Sequence, residues 1–309
     1  MSLPDDLRAL AARISNWGRF GPDDERGTLN HIGPAARRRG VAAVRRGVAF
    51  DLSIPMDEHG PQTGRIPGRR NPRHEMLVTG WSVTGDPGDF TTSDDQVTTG
   101  LQSATHWDAL AHVGYDGLLY NGVPMSAIDP ARGATRLGIE RFGPVATRGI
   151  LCDVARLHGV ETFDEPYAIT GDDLQACVDA AGLTVEAGDV LCVRTGQMHW
   201  LRVGDRHRYA DISPGIGIGA LEWLAARRVA AVATDTHTFE PYPPERPDAL
   251  FCVHMLLLRD VGMPQGQQWD LDALAADCAA EGSWDCLLVA TPLPVTGGCG
   301  GLVAPTALR

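Results

Sequence analysis

The stretch LQSATHWDALAHVGYDG, residues 101–117, is the most informative part of the chain. It sets Gln102, His106, Asp108 and His112 within eleven residues, all at even positions. In an extended strand, residues two apart share a face, so His106 and Asp108 can reach one ion. On a straight strand His106 and His112 would stand roughly 20 Å apart. A shared site therefore requires the chain to bend after Asp108, through Ala109, Leu110 and Ala111. Two imidazoles and a carboxylate form the mixed nitrogen and oxygen set that zinc, manganese or iron accept. A divalent ion held there lowers the pKa of water and polarises a carbonyl, the two requirements of hydrolysis. The spacing is weakly specific by itself, because a histidine beside a carboxylate is also a common structural pair.

The rest of the sequence bounds the setting of that segment. With 309 residues, 43% of them hydrophobic, one domain over residues 1–309 can bury a sizeable core without disulfides or other staples. The 27 basic and 39 acidic residues give a net charge of −12, which argues against a nucleic-acid partner. The basic run Arg37, Arg38 and Arg39 with Arg45 and Arg46 reads as the solvated face of a short helix. Seven scattered cysteines with no CxxC pair are read as buried free thiols of a reducing cytoplasm. The opening MSLPDDLRALAARISNW has no basic segment followed by an apolar one, so no secretory signal is expected. No eighteen consecutive apolar residues occur, so neither a transmembrane helix nor a membrane partner is expected.

Hydrophobic periodicity and end signals predict helices over residues 7–14, 34–46, 172–181, 218–228 and 271–280. Short apolar runs predict strands at 48–54, 149–154, 189–194, 229–234 and 286–290, covered on both faces. The class is α/β or mixed, and residues 58–72, rich in Pro and Gly, are expected to form a long loop or flap. The glycine-rich stretches 215–219 and 297–301 lack the spacing and later acid of a dinucleotide site. His237 follows the predicted strand 229–234, where it can orient a substrate, while Asp235 and Glu240 are as readily structural. His199 also follows a strand, whereas His31, His59, His74, His158 and His207 read as surface residues. Trp17, Phe20, Trp81, Trp107 and Tyr115 are aromatics of the kind that fill cores.

The segment around His106 resembles the signature His-x-Gly-Thr-His-x-Asp-x-Pro-x-His of the cyclase family of metal-dependent hydrolases, whose branches include kynurenine formamidase and isatin hydrolase. Further blocks match in order: NWG at 16–18, GTLN at 27–30, ATDT at 233–236, His254, GQQWDL at 266–271 and TGG at 296–298. The resemblance implies a swivelling β/β/α fold, with mixed sheets around a small barrel-like core, helices outside, and an N-terminal arm over residues 1–33. It implies His106 and Asp108 as metal ligands, with His112 either ligating a second ion or serving as a general base. His254 corresponds to a further site histidine, and Gln267 falls where relatives place a ligating Glu. Gln102 stands in place of the first His, Leu110 in place of Pro, and Gln267 in place of Glu. Each glutamine still offers a neutral oxygen, so the expectation is one divalent ion, zinc or manganese, bound by His106, Asp108, Gln102 and Gln267.

The function implied is that of a metal-dependent hydrolase of a formamide, anilide, lactam or cyclic imide bond, with His112 and His254 as catalytic residues. Trp107, Tyr115 and His237 would contact a small-molecule substrate. By resemblance, Trp17 and Phe20 of the arm would line the pocket of a neighbouring subunit in a homodimer or homotetramer. A cyclase, dehydratase or isomerase using the ion as a Lewis acid is the alternative, and a non-catalytic binding protein is a third.

Overall fold

The apolar runs of the second half form the parallel centre of a single curled, half-barrel sheet of nine strands. They do so in a computed structural model that describes residues 3–309. The strands are β1 (Ala49–Asp51), β2 (Arg73–Ser82), β3 (Thr91–Thr98), β4 (His106–Asp108), β5 (Ala146–Asp153), β6 (Val190–Arg194) and β7 (Ala231–Thr234). They continue as β8 (Gln265–Gln267), β9 (Asp285–Val289), β10 (Gly300–Leu302) and β11 (Thr306–Leu308). The sheet order is β1-β11-β9-β5-β6-β7-β8-β4-β10, while β2 and β3 pair only with each other. Strands β5 to β8 run parallel, and the edges are antiparallel.

Alternating side chains explain how the centre is covered on both faces. Ile150, Cys152, Leu191, Val193 and Val232 pack on one face against helices α1 (Asp5–Ile14), α3 (Gly171–Ala180) and α4 (Leu221–Ala226). Their neighbours Leu151, Val190, Cys192 and Ala233 pack on the other face, against Leu274 and Cys278 of α5 (Asp272–Glu281). The remaining labelled helix is α2 (Pro34–Ala42). A capping box between Thr170 and Asp173 starts α3, satisfying two donors that the helix end would leave free.

Several expectations need adjusting. Helix α2 stops at Ala42, because Arg45 and Arg46 turn away to pair with Asp285 and Asp277. Arg39 is likewise paired with Asp189, so much of the basic run is engaged rather than solvated. The segment 218–228 divides into a 3-10 turn, Ile218–Ala220, and α4. His74 and His158 have carboxylate partners, Asp95 and Asp173, which lie too far along the chain to be read as neighbours. Trp81 is 54% exposed on the β2–β3 hairpin rather than in a core. All seven cysteines are free, six of them buried. No described helix is long and apolar enough to cross a membrane.

The N-terminal segment docks onto its own chain. Leu7, Leu10, Ala11 and Ile14 of α1 are buried, and the Asn16 N–H donates to the Asp260 carbonyl at 2.9 Å. The Trp17 indole donates to the Arg259 carbonyl at 2.6 Å, and the Thr28 N–H to the Gly262 carbonyl at 2.8 Å.

Candidate active site

Strand β4 is three residues long and is clasped on both edges. Asp108 stands opposite Gln265 and Gly300, Trp107 opposite Gly266 and Gly301, and His106 opposite Gln267 and Leu302. The pleat therefore sends His106 and Asp108 to one face and Trp107 to the other. Trp107 fills the core side, edge-on to Trp269 with its indole N–H on the Ala290 carbonyl. Gly266 is required there, since a Cβ on it would come within 3.0 Å of the Trp107 ring and 2.7 Å of Ala233.

The chain bends straight after β4: the His112 N–H donates to the Ala109 carbonyl at 2.9 Å, closing a turn. That turn returns His112, whose Nε2 lies 3.7 Å from Asp108 Oδ1. His106 Nε2 approaches the same oxygen at 3.5 Å. Its Nδ1–H donates to the Ala104 carbonyl at 2.7 Å, which turns Nε2 inward as an acceptor. Asp108 Oδ2 accepts from the Gln267 amide at 2.6 Å.

His254 arrives from the far side, on a short helical turn that continues into a π-helix, Met255–Val261. Its Nε2 lies 3.9 Å from Asp108 Oδ2 and 3.3 Å from the Gln267 amide, while Nδ1 meets Glu240. Burial alone would raise the Asp108 carboxyl, but His112, His106 and His254 outweigh it and hold it below the usual carboxylate range. Burial lowers His112 despite the pull of Asp108, whereas for His254 Glu240 and Asp108 together outweigh burial and raise it.

These groups line one cavity of about 350 Å³, together with Arg65, Arg69, His237 and Phe251. Among the described residues no three His, Cys, Asp or Glu side chains are yet drawn around one point as a closed metal site. The donors nevertheless suit a divalent ion. Asp108 Oδ1 is buried with no hydrogen-bond partner, an expensive state for a carboxylate oxygen. Two ligands each about 2.1 Å from a tetrahedral ion stand roughly 3.4 Å apart, close to the 3.5 Å between that oxygen and His106 Nε2.

The family model described as "Putative cyclase" matches residues 50–241. The chain belongs to the cyclase family. The cyclase chain is similar to a solved structure described as a novel cyclase, at 37% identity over 96% of this chain and 99% of that one, with a TM-score of 0.86. Isatin hydrolase A from Ralstonia solanacearum shares the fold at 22% identity and a TM-score of 0.62, over 99% of this chain and 98% of the other. A predicted metal-dependent hydrolase from Bacillus stearothermophilus does so at 16% identity and a TM-score of 0.51, over 85% and 98%. No curated protein matches this chain.

Of the residues singled out in the sequence, the cyclase fold brings His106, Asp108, His112, His237, His254 and Gln267 to one cavity. Gln102 stands outside the lining, its amide lying over Gly300, where a Cβ would be 2.5 Å from Nε2. Trp107 faces the core. Tyr115 donates to Asp260 at 2.8 Å beneath the Arg259 guanidinium, and does not line the cavity. Trp17 lies under Arg259 and Phe20 stands edge-on to His31, both away from the cavity of their own chain. Sequence reading passed over Arg65 and Arg69, which lie in a loop without periodicity, and gave Glu240 no link to His254.

Proposed function

We propose that this cyclase-family protein is a metal-dependent hydrolase that cleaves a C–N amide-type bond in a small molecule. The observation that carries this reading is the convergence of His106 and His112 on a buried, unpartnered Asp108 oxygen at 3.5 and 3.7 Å. His106 and Asp108 would hold one divalent ion, zinc or manganese. Gln267 joins them if its amide is turned end for end, an orientation chosen by the hydrogen-bond network rather than by chain geometry. Such an ion, when bound, lowers the pKa of water and polarises a carbonyl oxygen.

The chain's own residues then divide the proton work. His112, with its side chain 26% exposed to the cavity, is placed to take a proton at Nε2 as the water oxygen bonds to the carbonyl carbon. His254, fixed at Nδ1 by Glu240, presents Nε2 to the same space and donates its proton to the leaving nitrogen as the C–N bond breaks, and proton exchange through solvent then resets His112 and His254. The products are a carboxylic acid and an amine, joined in one molecule when the substrate is a ring. The apolar Ile66, Val113, Leu250, Phe251 and Met255 surround the acyl or aryl body and limit bulk water.

The test is elemental analysis of the purified protein, run beside a panel of formanilides, lactams and cyclic imides in oxygen-18 water. Stoichiometric ion and label in the carboxylate product are expected. Active protein free of any metal, or turnover without label, would sink the reading.

A further inference from the structure

Two arginines of the 58–72 loop line the cavity, and they differ in what they hold. Arg65 is held within the protein: its Nη1 donates to the Ala210 carbonyl at 2.7 Å and to Asp211 at 3.2 Å, and its guanidinium lies 3.7 Å over the Tyr242 ring. Arg69 is not. Its backbone N–H bonds to the Ile66 carbonyl at 3.1 Å, but its guanidinium makes no hydrogen bond or ion pair with any described residue. Burial lowers its pKa, and the charge that pulls the other way is that of Asp108. Arg69 is half-buried, so its guanidinium gives up part of its water without gaining a partner, and an anion in the cavity would supply one.

His237 lines the same cavity, near enough for the Arg69 charge to act on its ring. It is 5% exposed, and neither ring nitrogen has a hydrogen-bond partner. Burial keeps the ring neutral, with Arg69, His106 and Arg65 acting in the same sense. A neutral imidazole has one N–H to give, so His237 and Arg69 together offer a donor set with no acceptor in the protein. The remaining lining is largely apolar, with Ile66, Leu250 and Phe251 at the mouth.

We infer that Arg69 and His237 form a carboxylate-binding subsite, and that the substrate is an organic acid whose carboxylate is seated there while its amide-type bond faces Asp108. The planar guanidinium fork matches a carboxylate with two parallel hydrogen bonds, and the imidazole supplies a third. The identity of the bond being cleaved rests on the hydrolase reading above; the anion subsite does not.

Formanilide and its 2- and 3-carboxy derivatives differ only in the group the subsite would recognise. For the wild-type protein loaded with its ion, kcat/KM is expected to favour at least one carboxylated derivative by about tenfold or more. In Arg69→Gln that ratio collapses toward unity, and in Arg69→Lys, which keeps charge but loses the fork, it falls between the two. Equal ratios in wild type and Arg69→Gln overturn the subsite. If none of the three compounds is cleaved, calorimetric titration with benzenesulfonate, an anion that ligates metals poorly, judges the subsite alone, while the hydrolase reading is judged on the lactams and cyclic imides. Binding weakened about tenfold in both Arg69→Gln and His237→Gln supports it; affinities equal to wild type overturn it.

Discussion

Glu240 Oε1 accepts two hydrogen bonds from His254, one from its backbone N–H at 2.8 Å and one from its ring Nδ1 at 2.5 Å. The other carboxylate oxygen accepts from the Val253 N–H at 3.1 Å. One side chain thus pins both the helical turn and the ring it carries. Glu240→Gln is expected to lower kcat roughly 10- to 100-fold with little change in KM, the usual loss when an orienting partner of a site histidine is removed. Burial lowers His254, but Glu240 and Asp108 together raise it by more, so loss of the Glu240 charge lowers that pKa. The alkaline limb of the pH–kcat profile should move to lower pH, and a limb that stays in place rules out His254 as the acid.

Ion binding should depend on β4. His106→Ala and Asp108→Asn are expected to abolish stoichiometric ion content by elemental analysis, whereas Gln102→Ala, outside the cavity lining, should retain it. Stability gives an independent readout. An ion at about a hundredfold above its Kd stabilises the fold by about 2.7 kcal/mol, so added zinc or manganese should raise the wild-type Tm and leave Asp108→Asn unmoved.

His237 makes the fold sensitive to acid in a calculable direction. Burial lowers its imidazole from 6.5 to about 3, so the unfolded chain takes up the proton first. Its contribution is intact above the unfolded value and is lost as pH falls through the window from 6.5 to about 3. The slope for one proton is about 1.4 kcal/mol per pH unit. Denaturant unfolding of wild type and His237→Gln between pH 7 and pH 4.5 should show the stability difference shifting by that slope in favour of the variant. Parallel curves would contradict it.

The arm is anchored at a position that only glycine tolerates. Gly27 has φ +53°, and a Cβ there would lie 1.9 Å from the Gly262 carbonyl oxygen. Gly27→Ala must therefore move the arm away from the end of the π-helix, with the left-handed backbone adding about 1–2 kcal/mol. A fall of several degrees in Tm is expected by calorimetry, with the secondary structure retained by circular dichroism. An unchanged Tm would mean that the arm contributes nothing to the fold.

How much was legible in the sequence differs from one part of the site to another. Strand alternation alone puts His106 and Asp108 on a common face, and this is how they stand. His112 needed the turn at Ala109, which the short Ala-Leu-Ala segment permits but does not announce. The buried parallel strands read clearly because Val190–Arg194 and Ala231–Thr234 are nearly continuous apolar runs. Strands β8, β10 and β11 did not, since three residues such as Gln265–Gln267 or Gly300–Leu302 carry no period. Trp107 and Tyr115 were misplaced as substrate contacts because proximity in sequence says nothing of which side of the pleat, or which partner, takes a side chain. Arg69 and the bond between Glu240 and His254 depend on contacts across long sequence separations, which no local pattern encodes.

The clasping of β4 has a consequence for how such a protein can change. With glycines opposite Trp107 on both edges and a tryptophan wedged beneath, the three residues that carry His106 and Asp108 admit almost no alteration. In the rim, formed by the 58–72 loop and the turn holding Leu250 and Phe251, Ile66 and Leu250 are exposed and meet no such constraint. Randomised libraries aimed at new substrates belong in those two rim segments, where folded variants should be plentiful, and the floor should be left as it is.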